Sequence, residues 1–207
     1  MAKLYFYYGA MGSSKSANAL MAEYNYRERG QLVLLAKTNI DTRDGKNTIK
    51  SRIGLQRECL LLSDVCAMKD DSIQKFDAVI VDEIQFATRE QVDFLAHIVD
   101  DLNVPVMCYG LRSDFQLKLF EGSERLLAIA DEIKEIKTVC WCGKKAICNA
   151  RYNKHGIVRS GEQIMLGAND EYIALCRKHF LQGKLSSDSP VAVDGKEYLT
   201  IRKSRDK

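Results

Sequence analysis

A chain of 207 residues, 46% hydrophobic and 29% charged, is long enough to bury one sizeable core and to carry a smaller accessory unit. No apolar run approaches the roughly 20 residues that cross a bilayer, and Met1-Ala2-Lys3 leads into a short aromatic stretch without the apolar core and cleavage site of a signal peptide, so neither a membrane nor an export route is expected and the cytoplasm is. A net charge of +3, with no long basic stripe interleaved with aromatics, gives no ground for a nucleic-acid partner.

The first expected element is a buried strand over Leu4–Tyr8, followed at once by Gly9-Ala10-Met11-Gly12-Ser13-Ser14-Lys15-Ser16 and a helix over Ala17–Arg29. A loop of small residues between strand and helix turns its backbone N–H groups toward phosphate oxygens at the positive end of the helix. In such a P-loop Lys15 reaches the β- and γ-phosphates of ATP and Ser16 meets Mg²⁺. Ser14 stands where the usual pattern has its second glycine, a place where a Cβ strains the backbone by about 1 kcal/mol.

Further strands are expected at Leu32–Ala36, Ala78–Val81 and Val104–Tyr109, separated by helical segments. That alternation argues for an α/β fold with a mainly parallel sheet flanked by helices. Between Asn39 and Gly54 the polar stretch has no persistent period and reads as a long loop. Ser63–Lys75 is expected as one helix, and Thr88-Arg89-Glu90-Gln91 has the capping-box spacing ahead of the amphipathic run Val92–Leu102.

Asp82 ends its strand, so its carboxylate reaches the edge of the sheet where ligands gather and can hold Mg²⁺ together with Ser16. Glu83 follows it as a candidate base for whatever attacks the γ-phosphate. Gly110-Leu111-Arg112-Ser113-Asp114-Phe115 leaves the next strand at the same edge; Arg112 can stabilise transferring charge, and Met11, Phe86, Leu111, Phe115 and Phe120 can wall a slot for a flat ring.

Seven cysteines are unevenly spread. Cys59, Cys66 and Cys108 sit among apolar neighbours and read as small core residues. Cys140-Trp141-Cys142 with the later Cys176-Arg177-Lys178-His179 supplies two close pairs of soft ligands, the pattern of a structural Zn²⁺ site; Cys148 competes for a place in it. Turn signals at Gly143, Gly156, Gly161 and Gly167 accompany this segment. The expected division is a P-loop unit over 1–137, a zinc-binding unit over 138–182 and an exposed tail over 183–207.

From Leu4 to Phe180 these motifs together resemble one family, the thymidine kinases of the tetrameric, zinc-containing type. The carriers are Tyr7-Tyr8-Gly9-Ala10-Met11 with Lys15-Ser16, Val81-Asp82-Glu83-Ile84-Gln85-Phe86, Cys108-Tyr109-Gly110-Leu111-Arg112-Ser113-Asp114-Phe115, Cys140-Trp141-Cys142-Gly143 and Cys176-Arg177-Lys178-His179. The resemblance implies a P-loop NTPase-like fold with a small zinc-bearing lasso. It implies ATP, Mg²⁺ and Zn²⁺ as cofactors, transfer to the 5′-hydroxyl of thymidine or deoxyuridine, Glu83 as base and Asp82 on Mg²⁺. Residues 9–16, Arg43, Ile84 and Gln85 are then expected near the nucleotide. Met11, Phe86, Leu111, Arg112, Phe115 and Phe120 are expected around the acceptor, with Tyr172 near the thymine ring under a loop running from Arg151 to Glu171. The short Cys-x-Cys pair resembles a bacterial subgroup and favours Cys142 over Cys148. A homotetramer and feedback inhibition by thymidine triphosphate (dTTP) are implied as well. Two other readings of the same motifs are an ATPase that activates water with Glu83 and a zinc module that binds nucleic acid without catalysis.

Overall fold

The computed structural model describes residues 1–39, 47–164 and 171–186. In chain order β1 (Leu4–Tyr8) leads to α1 (Lys15–Arg27), then β2 (Val33–Lys37), β3 (Thr48–Lys50), β4 (Gln56–Glu58), β5 (Leu60–Leu61), α2 (Leu62–Cys66), α3 (Asp70–Ile73), β6 (Ala78–Asp82), α4 (Arg89–Asp100), β7 (Val106–Gly110), α5 (Glu121–Ile129) and β8 (Glu132–Glu135). The C-terminal part adds β9 (Thr138–Val139), β10 (Lys145–Ala146), β11 (Cys148–Asn153), β12 (Gly156–Ile157), β13 (Glu171–Leu175) and α6 (Arg177–Gln182).

Six strands form one sheet in the order β5-β2-β6-β7-β1-β8, and every pairing in it is parallel. All five residues of β6 and of β7 are buried, as strands covered on both faces must be. Leu4, Phe6, Val79, Val81, Val106 and Cys108 pack on one face against Val92, Leu95 and Ile98 of α4. Ile80, Met107 and Tyr109 pack on the other against Ala19 and Leu20 of α1. Burying each such Leu, Ile or Val is worth about 1.5–3 kcal/mol, which makes this three-layer packing the main stabilising term.

The capping box is present: Thr88 Oγ1 accepts from Gln91 N–H at 3.3 Å and Gln91 Oε1 accepts from Thr88 N–H at 3.1 Å. Such caps contribute about 1 kcal/mol. Ser63–Lys75 is two helices rather than one, because Lys69 has extended backbone (φ −76°, ψ 146°) and Asp70 and Asp71 open a fresh N-terminal turn. The expected loop over Asn39–Gly54 also contains a strand. In β3, Ile49 is buried against the α1 face of the core while its neighbours pair with β4, with Ile49 opposite Arg57. Residues 40–46 of that stretch lie outside the described residues. So do 187–207, which include most of the expected tail.

Beyond β8 the chain builds a second apolar cluster from Cys140, Ala146, Cys148, Ala150, Leu175, Cys176 and Phe180. Around it β12, β11 and β13 form a three-stranded antiparallel sheet, and β9 pairs with β10. Among the described residues no helix is long and apolar enough to cross a membrane.

Candidate nucleotide and nucleoside site

Because the sheet is parallel, Gly9, Asp82, Glu83, Gly110 and Leu111 all leave strands at one edge. Gly9 must be glycine for space: a Cβ there would stand 2.4 Å from the Ile136 carbonyl oxygen and 2.4 Å from Ser13 Oγ. Its N–H donates to the Gly110 carbonyl at 3.2 Å and so ties the loop to β7. Ala10 and Ser13 are buried, Met11 is half-buried, and Gly12 and Ser14 are exposed. Ser14 has φ 61° and ψ 29°, the left-handed conformation that the missing glycine would have adopted without a Cβ contact. Lys15 is buried, and its Nζ donates to the Ala10 carbonyl at 3.0 Å and to Ser13 Oγ at 3.4 Å.

Asp82 is buried and accepts a hydrogen bond from the Ser16 hydroxyl, while its Oδ1 has no hydrogen-bond partner. Burial first, and the Glu83 carboxylate second, push Asp82 well above the usual carboxylate range; the Ser16 bond and Lys15 pull it back. A buried carboxylate oxygen left without a donor, beside a hydroxyl and behind a phosphate loop, fits a hard divalent cation such as Mg²⁺ held directly or through its water.

Glu83 is half-buried with φ 53° and ψ 35°, a left-handed backbone that costs a non-glycine residue on the order of 1–3 kcal/mol. Thr38 Oγ1 donates to its carbonyl at 3.1 Å, and Gln85 Nε2 donates to its Oε2 at 2.5 Å. Gln85 is buried and accepts from Leu111 N–H at 3.0 Å. Gly110 makes room for this amide, since a Cβ there would lie 2.7 Å from Gln85 Oε1. Gln85 therefore holds Glu83 from below, and Ile84 is wholly buried in the core under Gly110.

Of the aromatic residues expected around an acceptor, Phe86 and Phe120 are in contact, edge to face with centroids 5.6 Å apart. Phe115 is buried beneath the Arg151 guanidinium, 4.0 Å from its ring centroid. Tyr172 lies opposite Arg151 across the β11–β13 pair, which puts both side chains on the same face of that sheet. The tight hairpin between Ser113 and Leu119 is set by Asp114, whose Oδ1 accepts from Gln116 N–H at 2.8 Å and Lys118 N–H at 2.9 Å. Two contacts tie this hairpin to the 158–164 segment: Gln163 Nε2 donates to Asp114 Oδ2 at 3.0 Å, and Gln116 Nε2 to the Gly161 carbonyl at 2.9 Å. Arg112 stands over the Tyr8 ring, 5.5 Å from its centroid, and lines a small cavity beside the phosphate loop with Gly9, Ala10 and Asn149. Arg43 and residues 165–170 lie outside the described residues. Asn149 and Gln163 carry no signal in the sequence, because nothing local marks a polar residue as the partner of a loop elsewhere, and Arg151 enters there as the start of an expected loop without its contact to Phe115.

In the C-terminal part, one ligand atom from each of Cys140, Cys142, Cys176 and His179 lies within 4.8 Å of the others. Cys140 Sγ is 3.5 Å from His179 Nδ1, and Cys142 Sγ is 4.0 Å from Cys176 Sγ. Trp141 stacks on the His179 ring at 4.2 Å and 10°, which fixes the imidazole orientation. Three thiols and an imidazole converging in this way suit a tetrahedral structural zinc. Cys148 shares the apolar cluster with Cys140 and Cys176 but does not belong to this set.

A family model described as thymidine kinase matches residues 2–180. A thymidine kinase of Zymomonas mobilis is 49% identical over 90% of this chain and 100% of its own length, and one of Legionella pneumophila (strain Paris) is 46% identical over 92% and 94%. A solved DNA replication initiation factor superposes with a TM-score of 0.42 at 16% identity, over 65% of this chain and 40% of that one, a likeness too slight to carry an argument.

Proposed function

The chain belongs to the thymidine kinase family, and we propose that it transfers the γ-phosphate of ATP to the 5′-hydroxyl of thymidine, with deoxyuridine as a second acceptor. One observation carries the reading: the buried Asp82 Oδ1 without a donor sits beside Ser16, with Lys15 behind it and Glu83 next along the chain.

Backbone N–H groups of Gly12, Ser14, Lys15 and Ser16 and the Lys15 ammonium cradle the phosphates of the donor, those of Gly9, Met11 and Ser13 being bonded to Gly110, Asn149 and Ala10. Ser16 and Asp82 would hold Mg²⁺, which would supply charge neutralisation to the donor phosphates. Phe86, Leu111, Phe115, Phe120 and Met11 wall the acceptor base, and Tyr172 approaches from β13. Glu83 takes the proton of the 5′-hydroxyl as its oxygen bonds to the γ-phosphorus and the bond to the β–γ bridging oxygen breaks, releasing ADP. Phosphoryl transfer asks mainly for in-line placement and charge stabilisation, so one anchored carboxylate and one cation suffice beside the cradle. Arg43 and Arg112 are the further cations assigned to the phosphates in this reading.

Cys140, Cys142, Cys176 and His179 hold a structural zinc that stabilises the unit over 138–182 against the P-loop unit over 1–137. Membership of the family carries the expectations of a homotetramer, of dTTP as feedback inhibitor and of the cytoplasm as location. The test is turnover by the purified protein with Mg²⁺ and ATP, with and without thymidine, scoring thymidine monophosphate directly. Thymidine-dependent product supports the kinase, whereas ATP hydrolysis indifferent to thymidine overturns it in favour of an ATPase.

A further inference from the structure

Asn149 belongs neither to the phosphate loop nor to the cysteine set, yet three distant segments meet at its side chain. Its Oδ1 accepts from Met11 N–H at 2.8 Å, and its Nδ2 donates to the Ser113 carbonyl at 2.8 Å. It is 3% exposed and sits on β11, paired across the sheet with Ala174. Met11 is part of the phosphate loop, and Ser113 opens the hairpin that carries Phe115. The amide fits one way round only: turned by 180°, it would set its NH₂ against an N–H and its oxygen against a carbonyl. Asn149 and Ser113 are buried, so losing the bond between them leaves a buried polar group unsatisfied, while the Met11 end is part-buried.

We propose that Asn149 is a positioning residue for the transfer, fixing the separation between the loop that holds the donor and the hairpin that walls the acceptor. A side chain of the zinc-bearing part thereby sets the reactive distance between two substrates that it need not touch. The inference rests on the kinase reading for its kinetic consequence, although the bridge itself is a matter of geometry. In-line transfer is sensitive to displacement: a shift of about 1 Å costs on the order of a hundredfold in rate.

The experiment compares the full-length wild type, Asn149→Ala and Asn149→Asp. Asn149→Ala should lower kcat by about ten- to a hundredfold, with KM for ATP and for thymidine within about threefold of the wild type, because positioning acts on the transition state more than on either bound ground state. Zinc content and the stoichiometry of thymidine binding should stay at wild-type values, which separates lost positioning from lost folded protein. Asn149→Asp keeps the acceptor toward Met11 but sets a carboxylate against the Ser113 carbonyl. Protonation restores the donor, so its rate relative to wild type should rise as pH is lowered from about 8.5 to about 6. Arg112, Glu135 and Tyr8 line the same cavity. Of these Arg112 favours the charged carboxyl and Glu135 opposes it, which sets where in that range the rise falls.

A rise in KM at constant kcat, or a relative rate for Asn149→Asp that is flat with pH, overturns the proposal. Amide hydrogen exchange on the wild type provides an independent check: Met11 N–H should be protected, and should lose that protection in Asn149→Ala. Fast exchange of Met11 in the wild type overturns the bridge whether or not either variant folds. If the wild type makes no thymidine monophosphate, the kinase reading fails, and the Met11 amide still decides the bridge.

Discussion

Gln85 donates its side-chain amide to Glu83 Oε2 at 2.5 Å and, through the other end of the same amide, accepts from Leu111 N–H at 3.0 Å. The proposed base and the wall of the acceptor slot are therefore referenced to one buried side chain, and motion of either is transmitted to the other. The left-handed backbone at Glu83 is held by these bonds and by Thr38.

Glu83→Gln should bind ATP and thymidine with affinities near those of the wild type and lose on the order of 10²–10⁴ in kcat, the usual range for a positioned base. Calorimetric titration with each ligand, beside initial-rate measurements, checks this. Unchanged turnover would remove Glu83 from the base role.

Ser14→Gly should relieve the left-handed strain at φ 61° and raise stability by up to about 1 kcal/mol, the gain being trimmed by the greater freedom of glycine in the unfolded chain. Urea denaturation at equal zinc content measures it, and the KM for ATP should fall or hold. A loss of stability would mean that the serine side chain makes a contribution larger than its strain.

Cys142→Ser should abolish stoichiometric zinc binding and lower the melting temperature, whereas Cys148→Ser should retain about one zinc per chain, because Cys148 lies outside the set formed by Cys140, Cys142, Cys176 and His179. Metal analysis after dialysis reads both variants. Equal zinc in the two would exchange the roles of these cysteines or dissolve the site.

His97 bridges two helices, with Nδ1 2.7 Å from Asp101 and Nε2 3.2 Å from Asp70. The Asp101 bond first, and the Asp70 carboxylate with it, raise His97 above its ordinary value. With the folded value above the unfolded one, its contribution is fully present below the ordinary histidine pKa of about 6.5 and is lost as pH rises through the raised folded value. The melting temperature of wild type minus that of His97→Gln should therefore be larger at about pH 5.5 than at about pH 8.5, and small at both because the group is exposed. A difference that grows with pH would reverse the assignment.

The parts of the fold legible in sequence are those whose signal is local. β1 and β6 are continuous apolar runs bounded by motif residues, and the Thr88–Gln91 box announces α4 within four residues. Ser63–Lys75 reads as one helix because composition is silent about the extended backbone at Lys69. β8 escapes for a related reason: an edge strand of Glu132, Ile133, Lys134 and Glu135 carries mostly charges, and Glu132 pairs there with Lys3 and Lys134. In the candidate site, Lys15, Asp82, Glu83 and the cysteine pairs are legible because chemistry fixes their spacing. The second tier is not: Asn149 reaches Met11 across 138 residues of chain and Ser113 across 36, and Gln163 reaches Asp114 across 49. Such contacts depend on how the two parts dock, which no window along the sequence samples.

The space at Gly9 is occupied by Ile136 of the strand-to-lobe connection and by Ser13, not by anything a nucleotide brings. A relative that had abandoned ATP altogether would still be obliged to keep a glycine there in order to fold, so that glycine is a poor witness to a working phosphate loop. The position of Ser14 is no better a witness, since it faces solvent and a serine already bears its left-handed backbone. When degenerate copies of this motif are sorted into active and retired enzymes, the first glycine should be given little weight, and Lys15 with the Ser16–Asp82 pair should decide.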